Sequence, residues 1–230
     1  MGAVIRLDFP KAIRSPRMSL AAALKRHRLP DPLIDELMRE SAAWPNLSQE
    51  DALAAALKRR MRFQPVDFER ARGLVLVGPD GAGKSAVAAK IAHMALLSGR
   101  KVEMASAADG LALFRTATFD SDSLMVMEAR GFNPANRRAL TAFAAMGKAE
   151  GAESIGVVSA TCDAEDVLET VTMLGLPRIV VTGLDRTSRL GATVAAVTAG
   201  SALAHVTYGA RPDDGLESLP PALLAKMLLD

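Results

Sequence analysis

At 230 residues, half of them apolar, the chain can bury a sizeable core, as one large domain or as a small unit joined to a larger one. A net charge of +2 and a pI near 8.8 are too mild to argue for nucleic acid, and aromatic residues at 4% leave few platforms for stacked bases. A single cysteine, Cys162, excludes an internal disulfide framework, and three scattered histidines (His27, His93 and His205) lack metal-ligand spacing.

The opening stretch MGAVIRLDFPKAIRSPRMS has no uninterrupted apolar segment of the secretory kind, and no apolar run reaches the length of a membrane span, which predicts a cytoplasmic protein. After an extension of residues 1–15, residues 16–70 read as helices only. Asp31 and Pro32 predict an N-cap and a first-turn proline before LIDELMRESA. Ser48 with Asp51 predicts a capping-box variant before ALAAALKRRM, and WPN at residues 44–46 separates the two helices. Leu24, Leu33, Leu37, Leu53 and Leu57 recur at helical spacing and are expected to pack on the domain that follows. Positive charge is crowded into KRHR (25–28) and KRRMR (58–62). Such runs are ordinarily solvated helix ends; the functional alternatives are contact with an acidic partner or peripheral contact with an anionic membrane, at its inner face.

From Leu74 the pattern changes. Short apolar runs (LVLVG, KVEMAS, LMVMEA, SIGVVSA, RIVVTGL and ALAHVTYG) alternate with helical stretches, which predicts an α/β domain over residues 71–230 with a mostly parallel sheet covered on both faces. Ligands in that architecture sit beyond the carboxyl ends of the strands.

The first of these runs ends in GPDGAGKS, residues 78–85, the G-x-x-x-x-G-K-S pattern of a phosphate-cradling loop. Gly78, Asp80, Gly81, Ala82, Gly83 and Ala86 would offer backbone N–H groups to an anion. Lys84 would reach the terminal phosphates, and the Ser85 hydroxyl would face Mg²⁺. The flanks fit, since a strand precedes the loop and AVAAKIAHMALL (86–97) continues as a helix. Further along, VTGLD ends at Asp185, whose carboxylate can accept from the N1–H and amino group of guanine, or else simply cap a helix. VTYGARPDDGLESL, from Val206, places Gly209 in a turn that would close over the base, or in a plain turn.

Taken together these segments resemble the signal-recognition-particle type GTPases, and within that family the flagellar-placement branch. VGPDGAGKSAVAAKIA is similar to the family's first GTP motif, including Lys90. VTGLDRTSRLGATV resembles its base-recognition motif T-K-L-D and the x-x-R-L-G-G helix that follows, with Thr182, Asp185, Leu190 and Gly191 in place. VTYGARPDDGLE resembles the closing loop G-Q-x-V-P-x-D-L through Gly209, Pro212 and Asp214. The resemblance implies an N-terminal helical bundle on a P-loop domain, GTP or GDP with Mg²⁺ as ligand, and a role in flagellar biosynthesis or protein targeting. It also implies a partner, a second copy or a related GTPase, across the nucleotide face.

Departures from the pattern are equally specific. Lys84 precedes Glu128 by only 44 residues, too few for the family's inserted strand and helix. The D-T-[FY]-R motif has no counterpart in KVEMASAADGLALFRTA, and D-T-A-G survives as EARG (128–131). Glu128 is left as the candidate catalytic carboxylate and as a ligand to magnesium through water. Gly183 stands where the family places the lysine that packs along the base. These losses predict a nucleotide-binding switch or scaffold with weak hydrolysis or none. The alternatives are a GTPase completed by a partner, an interaction module that has given up its nucleotide, and an ATP-binding protein.

Overall fold

The computed structural model describes residues 18–106, 122–133 and 152–230. The extension 1–15, the start of the helical region and the segment where the family insertion would lie fall outside these residues.

Three helices open the described chain: α1 (Leu20–Arg26), α2 (Asp31–Ala42) and α3 (Gln49–Arg60). Ser48 caps α3 by accepting from the Asp51 N–H at 3.0 Å, and its hydroxyl donates to the Asp51 carboxylate at 2.6 Å, so the expected capping box is present in a side-chain version. At α2 the expected cap is displaced by one residue. Pro30 holds the cap position with an extended backbone, and Asp31 enters as the first helical residue, where its charge complements the helix dipole. Arg60 forks to Glu36 and Glu40 at 2.9 and 2.8 Å, joining α3 to α2 at the surface.

All described strands belong to one parallel sheet of order β1-β7-β6-β5-β2-β4-β3. Its members are β1 (Arg62–Phe63), β2 (Gly73–Val77), β3 (Lys101–Ser106), β4 (Ser123–Glu128), β5 (Glu153–Ser159), β6 (Arg178–Thr182) and β7 (Ala202–Val206). The six apolar runs are all strands. The two-residue β1, at the sheet edge beside β7, corrects the expectation of helices only over residues 16–70: Arg62 and Phe63 are extended because β7 offers them a parallel edge, and they carry no run of apolar residues that would mark a strand. Helices α4 (Lys84–Leu97), α5 (Ala164–Leu174) and α6 (Gly191–Thr198) complete the crossovers, and α7 (Pro221–Leu229) follows the last strand. The central β2 is buried along its whole length, as a strand covered on both faces must be.

Leu24, Leu33, Leu37, Leu53 and Leu57 are buried in one cluster with Ile179, Val194 and Leu203, so the N-terminal helices pack on the α/β layer as their spacing predicts. Each fully buried leucine contributes about 1.5–3 kcal/mol. Leu224 and Leu228 of α7 lie in the same cluster, and α7 packs against α1 and α3. Among the described residues no helix is long and apolar enough to cross a membrane.

Candidate nucleotide site

Every strand of a parallel sheet points its carboxyl end the same way, so the loops after β2, β4, β6 and β7 gather at one edge. After Val77 the chain turns through residues 78–83 and enters α4 at Lys84. Gly83 holds the cap position with φ +92°, a left-handed conformation that a side chain would strain, and this aims the first helical N–H groups back into the loop.

A cleft of about 780 Å³ lies over this loop, lined by Asp80, Gly81, residues 83–86 and residues 128–131. Within it the Ser85 hydroxyl donates to Glu128 Oε2 at 2.7 Å. A hydroxyl and a carboxylate in contact are hard oxygen donors of the kind Mg²⁺ takes, so Ser85 and Glu128 fit such an ion. Lys84 is 9% exposed and donates to the carbonyls of Gly78 and Pro79 at 2.9 and 2.8 Å. Burial pushes its ammonium below the usual lysine range, and the Asp80 and Glu128 carboxylates oppose that shift.

The other residues that the sequence marks are arranged around the cleft without lining it. Thr182, at the end of β6, is buried and donates its hydroxyl to the Ala82 carbonyl at 2.7 Å, so it ties the phosphate loop to the sheet. Asp185 is exposed in a short 3₁₀ turn, Leu184–Arg186, whose cap is Gly183 with no side-chain bond. Its carboxylate caps no helix and accepts no hydrogen bond from a described residue. Gly209 turns with φ +73° against the Asp214 carboxylate, which accepts from the Arg211 N–H at 2.8 Å.

Two ties hold these loops together. Lys90, fully buried on α4, reaches the Arg211 carbonyl at 2.5 Å, which fixes the closing loop to the helix that starts at the phosphate site. Thr207, which sequence reasoning passed over, accepts from the Gly183 N–H at 3.2 Å through its hydroxyl and from the Leu184 N–H at 3.1 Å through its carbonyl. Its only sequence signal is a hydroxyl residue directly after the last apolar run. Arg130, also unremarked, is an exposed cation on the cleft wall.

A loop pinned by Thr182, a cation at its base and a hydroxyl–carboxylate pair beside it suit a phosphate anhydride carried with a divalent ion. No family model matches the sequence, and no curated protein does. Solved structures do. FlhF complexed with GTP and Mg²⁺ superposes with a TM-score of 0.71 at 18% identity, over 92% of this chain and 98% of that one. The cell division protein FtsY of Thermotoga maritima gives 0.72 at 16% identity, over 92% and 87%. The signal recognition particle receptor FtsY of Elizabethkingia anophelis, in complex with GDP, gives 0.70 at 14%, over 92% and 84%. At these identities the likeness establishes architecture: the chain has the fold of the signal-recognition-particle type GTPases.

Proposed function

We infer that the chain binds a guanine nucleotide with Mg²⁺ and works as a switch or scaffold, hydrolysing the nucleotide slowly or not at all. The observation that carries this reading is the contact between Ser85 and Glu128 beside Lys84 in a single cleft. Lys84 would neutralise the terminal phosphates, and Ser85 with Glu128 would hold the ion, Glu128 through water. The backbone N–H groups of Gly81, Ala82, Gly83 and Ala86 would cradle the phosphates, and Asp185 would read the base with Gly209 closing beside it. FlhF and FtsY, which share the fold, hold GTP with Mg²⁺ and GDP respectively, and this supports guanine as the base.

Slow turnover follows from chemistry. Phosphoryl transfer depends on positioning and charge stabilisation, and each lost contact costs a few kcal/mol, so hydrolysis should run roughly three or more orders of magnitude below that of an activated relative. With Glu128 in place of an aspartate, the carboxylate sits one methylene further from its backbone.

The organisation proposed with this function is a helical unit (16–70) joined to a nucleotide-binding unit (71–230). A second copy or a related GTPase would dock across the nucleotide face, the basic helix ends would rest on an anionic membrane, and the pathway would be flagellar placement or protein targeting. Titration with fluorescent GTP and ATP analogues, with and without Mg²⁺, tests the central reading. Micromolar or tighter binding of GTP over ATP supports it, whereas equal affinities remove the guanine assignment. Rapid multiple-turnover phosphate release by the isolated protein would contradict the switch reading.

A further inference from the structure

A loop that cradles phosphates is expected to meet them with net positive charge. Among the described residues, the charged side chains on this cleft are two carboxylates, Asp80 and Glu128, against two cations, Lys84 and Arg130, so these four balance to zero. Both carboxylates act on the Lys84 ammonium, whose charge is thus partly offset before any phosphate arrives. Glu128 has a partner in Ser85. Asp80 caps no helix, and its carboxylate accepts no hydrogen bond from a described residue.

Its position is nevertheless fixed. The Asp80 N–H donates to the Phe132 carbonyl at 3.2 Å, and Pro79 pairs with Phe132 in an isolated bridge, so the loop tip is fastened to the chain that leaves β4. The Asp80 carboxylate lies directly over Gly131, in space that any side chain at residue 131 would fill. The tip therefore carries a negative charge, on a backbone held in place, within the phosphate-binding loop itself.

We propose that Asp80 makes nucleotide binding at this cleft conditional on a divalent cation, repelling bare phosphates and admitting them as their Mg²⁺ complex. This rests on the reading of the cleft as a nucleotide site and adds a selective role for one residue. A bare nucleoside triphosphate brings several negative charges toward a loop whose tip already carries one. The same triphosphate with Mg²⁺ brings two fewer, and the ion gives the carboxylate something to attract.

The test is the ratio of dissociation constants for a fluorescent GTP analogue in EDTA and in Mg²⁺, compared between the unmodified protein and Asp80→Asn. Removing one like charge within about 12 Å of the phosphates should tighten metal-free binding by about tenfold or more at an effective dielectric of about 20, and the ratio should shrink by that factor. Asp80 is exposed, so the substitution should leave the fold intact. Glu103→Gln, on the exposed part of β3, removes the same charge away from the cleft and should leave the ratio as it was. An unchanged ratio in Asp80→Asn, or an equal fall in Glu103→Gln, overturns the role of Asp80 while Mg²⁺-dependent binding of the unmodified protein still stands. Failure of the unmodified protein to bind in either condition overturns this inference and the nucleotide reading together.

Discussion

Acid should weaken this fold through His205. The imidazole is 8% exposed on β7, stacked on Phe68 with ring centroids 5.6 Å apart, and its Nε2 accepts from the Val66 N–H at 3.1 Å. Acceptance at Nε2 places the proton on Nδ1, which is buried without a hydrogen-bond partner. Burial, and then the Arg178 guanidinium, push its pKa down from 6.5 to about 4. Between those values the unfolded chain takes up a proton that the folded chain refuses, so stability falls as pH drops from about 6.5 and levels off below about 4. At 1.36 kcal/mol per unit the full loss is roughly 3 kcal/mol. His27 is also held below the ordinary histidine range, by burial and then by Arg26, and it acts in the same direction. The His205 share is isolated by His205→Gln, which keeps an acceptor for Val66 and removes the titration. Urea unfolding of both proteins at steps from pH 7.5 to 4 should show the unmodified chain losing about 3 kcal/mol more than the variant. A difference between the two that stays constant across that range would refute the argument.

Lys84→Ala should abolish GTP-analogue binding while the urea midpoint moves little, because among the described residues the ammonium donates hydrogen bonds to loop carbonyls alone; binding of unchanged strength sinks the phosphate-loop reading. Asp185→Asn presents an amide donor to a guanine donor, at a cost of about 1–3 kcal/mol, so GTP should weaken by roughly one to two orders of magnitude while the xanthine analogue gains. Unaltered GTP affinity in that variant would leave Asp185 without a part in base recognition. Gly191→Ala places a Cβ 2.5 and 2.6 Å from the carbonyl oxygens of Arg28 and His27, backbone atoms that cannot swing aside. It also disturbs the Gly191 N–H to His27 bond of 2.9 Å, so the protein should lose about 1–3 kcal/mol, and an unshifted unfolding midpoint would count against this joint.

The legible parts of the molecule are those written in periodicity or in a local motif. Six strands could be read because each is centred on a short apolar run, largely buried in all but the edge strand β3, and α3 because Ser48 and Asp51 are near neighbours in sequence. The phosphate loop carries its own geometry in its glycines. What escaped notice depends on distant residues meeting. β1 consists of Arg62 and Phe63, both exposed, and exists only because β7 offers them an edge. Thr182 reads as a ligand-binding hydroxyl until Ala82, one hundred positions earlier, is seen to accept from it. Asp31 reads as a cap because the proline after it resembles a first-turn signal, yet the preceding Pro30 has the extended backbone that the cap requires. The described charges of the cleft wall come from two separate loops, and no single window of sequence contains them.

The place of α7 bears on how the protein is made. Its leucines complete the core that α1 and α3 begin, and Arg26 also reaches the Asp230 carbonyl at 3.3 Å. On the ribosome, residues 20–60 therefore emerge first and wait for residues 221–229, about ten seconds or more behind at ordinary translation speeds. In that interval Leu24, Leu53 and Leu57 lack the side chains that finally cover them, which makes the nascent helices a target for chaperones and proteases. Stalled chains that stop before Pro221 should be cut within residues 20–60 where released full-length protein is protected, and equal protection would show that the early helices close without their last member.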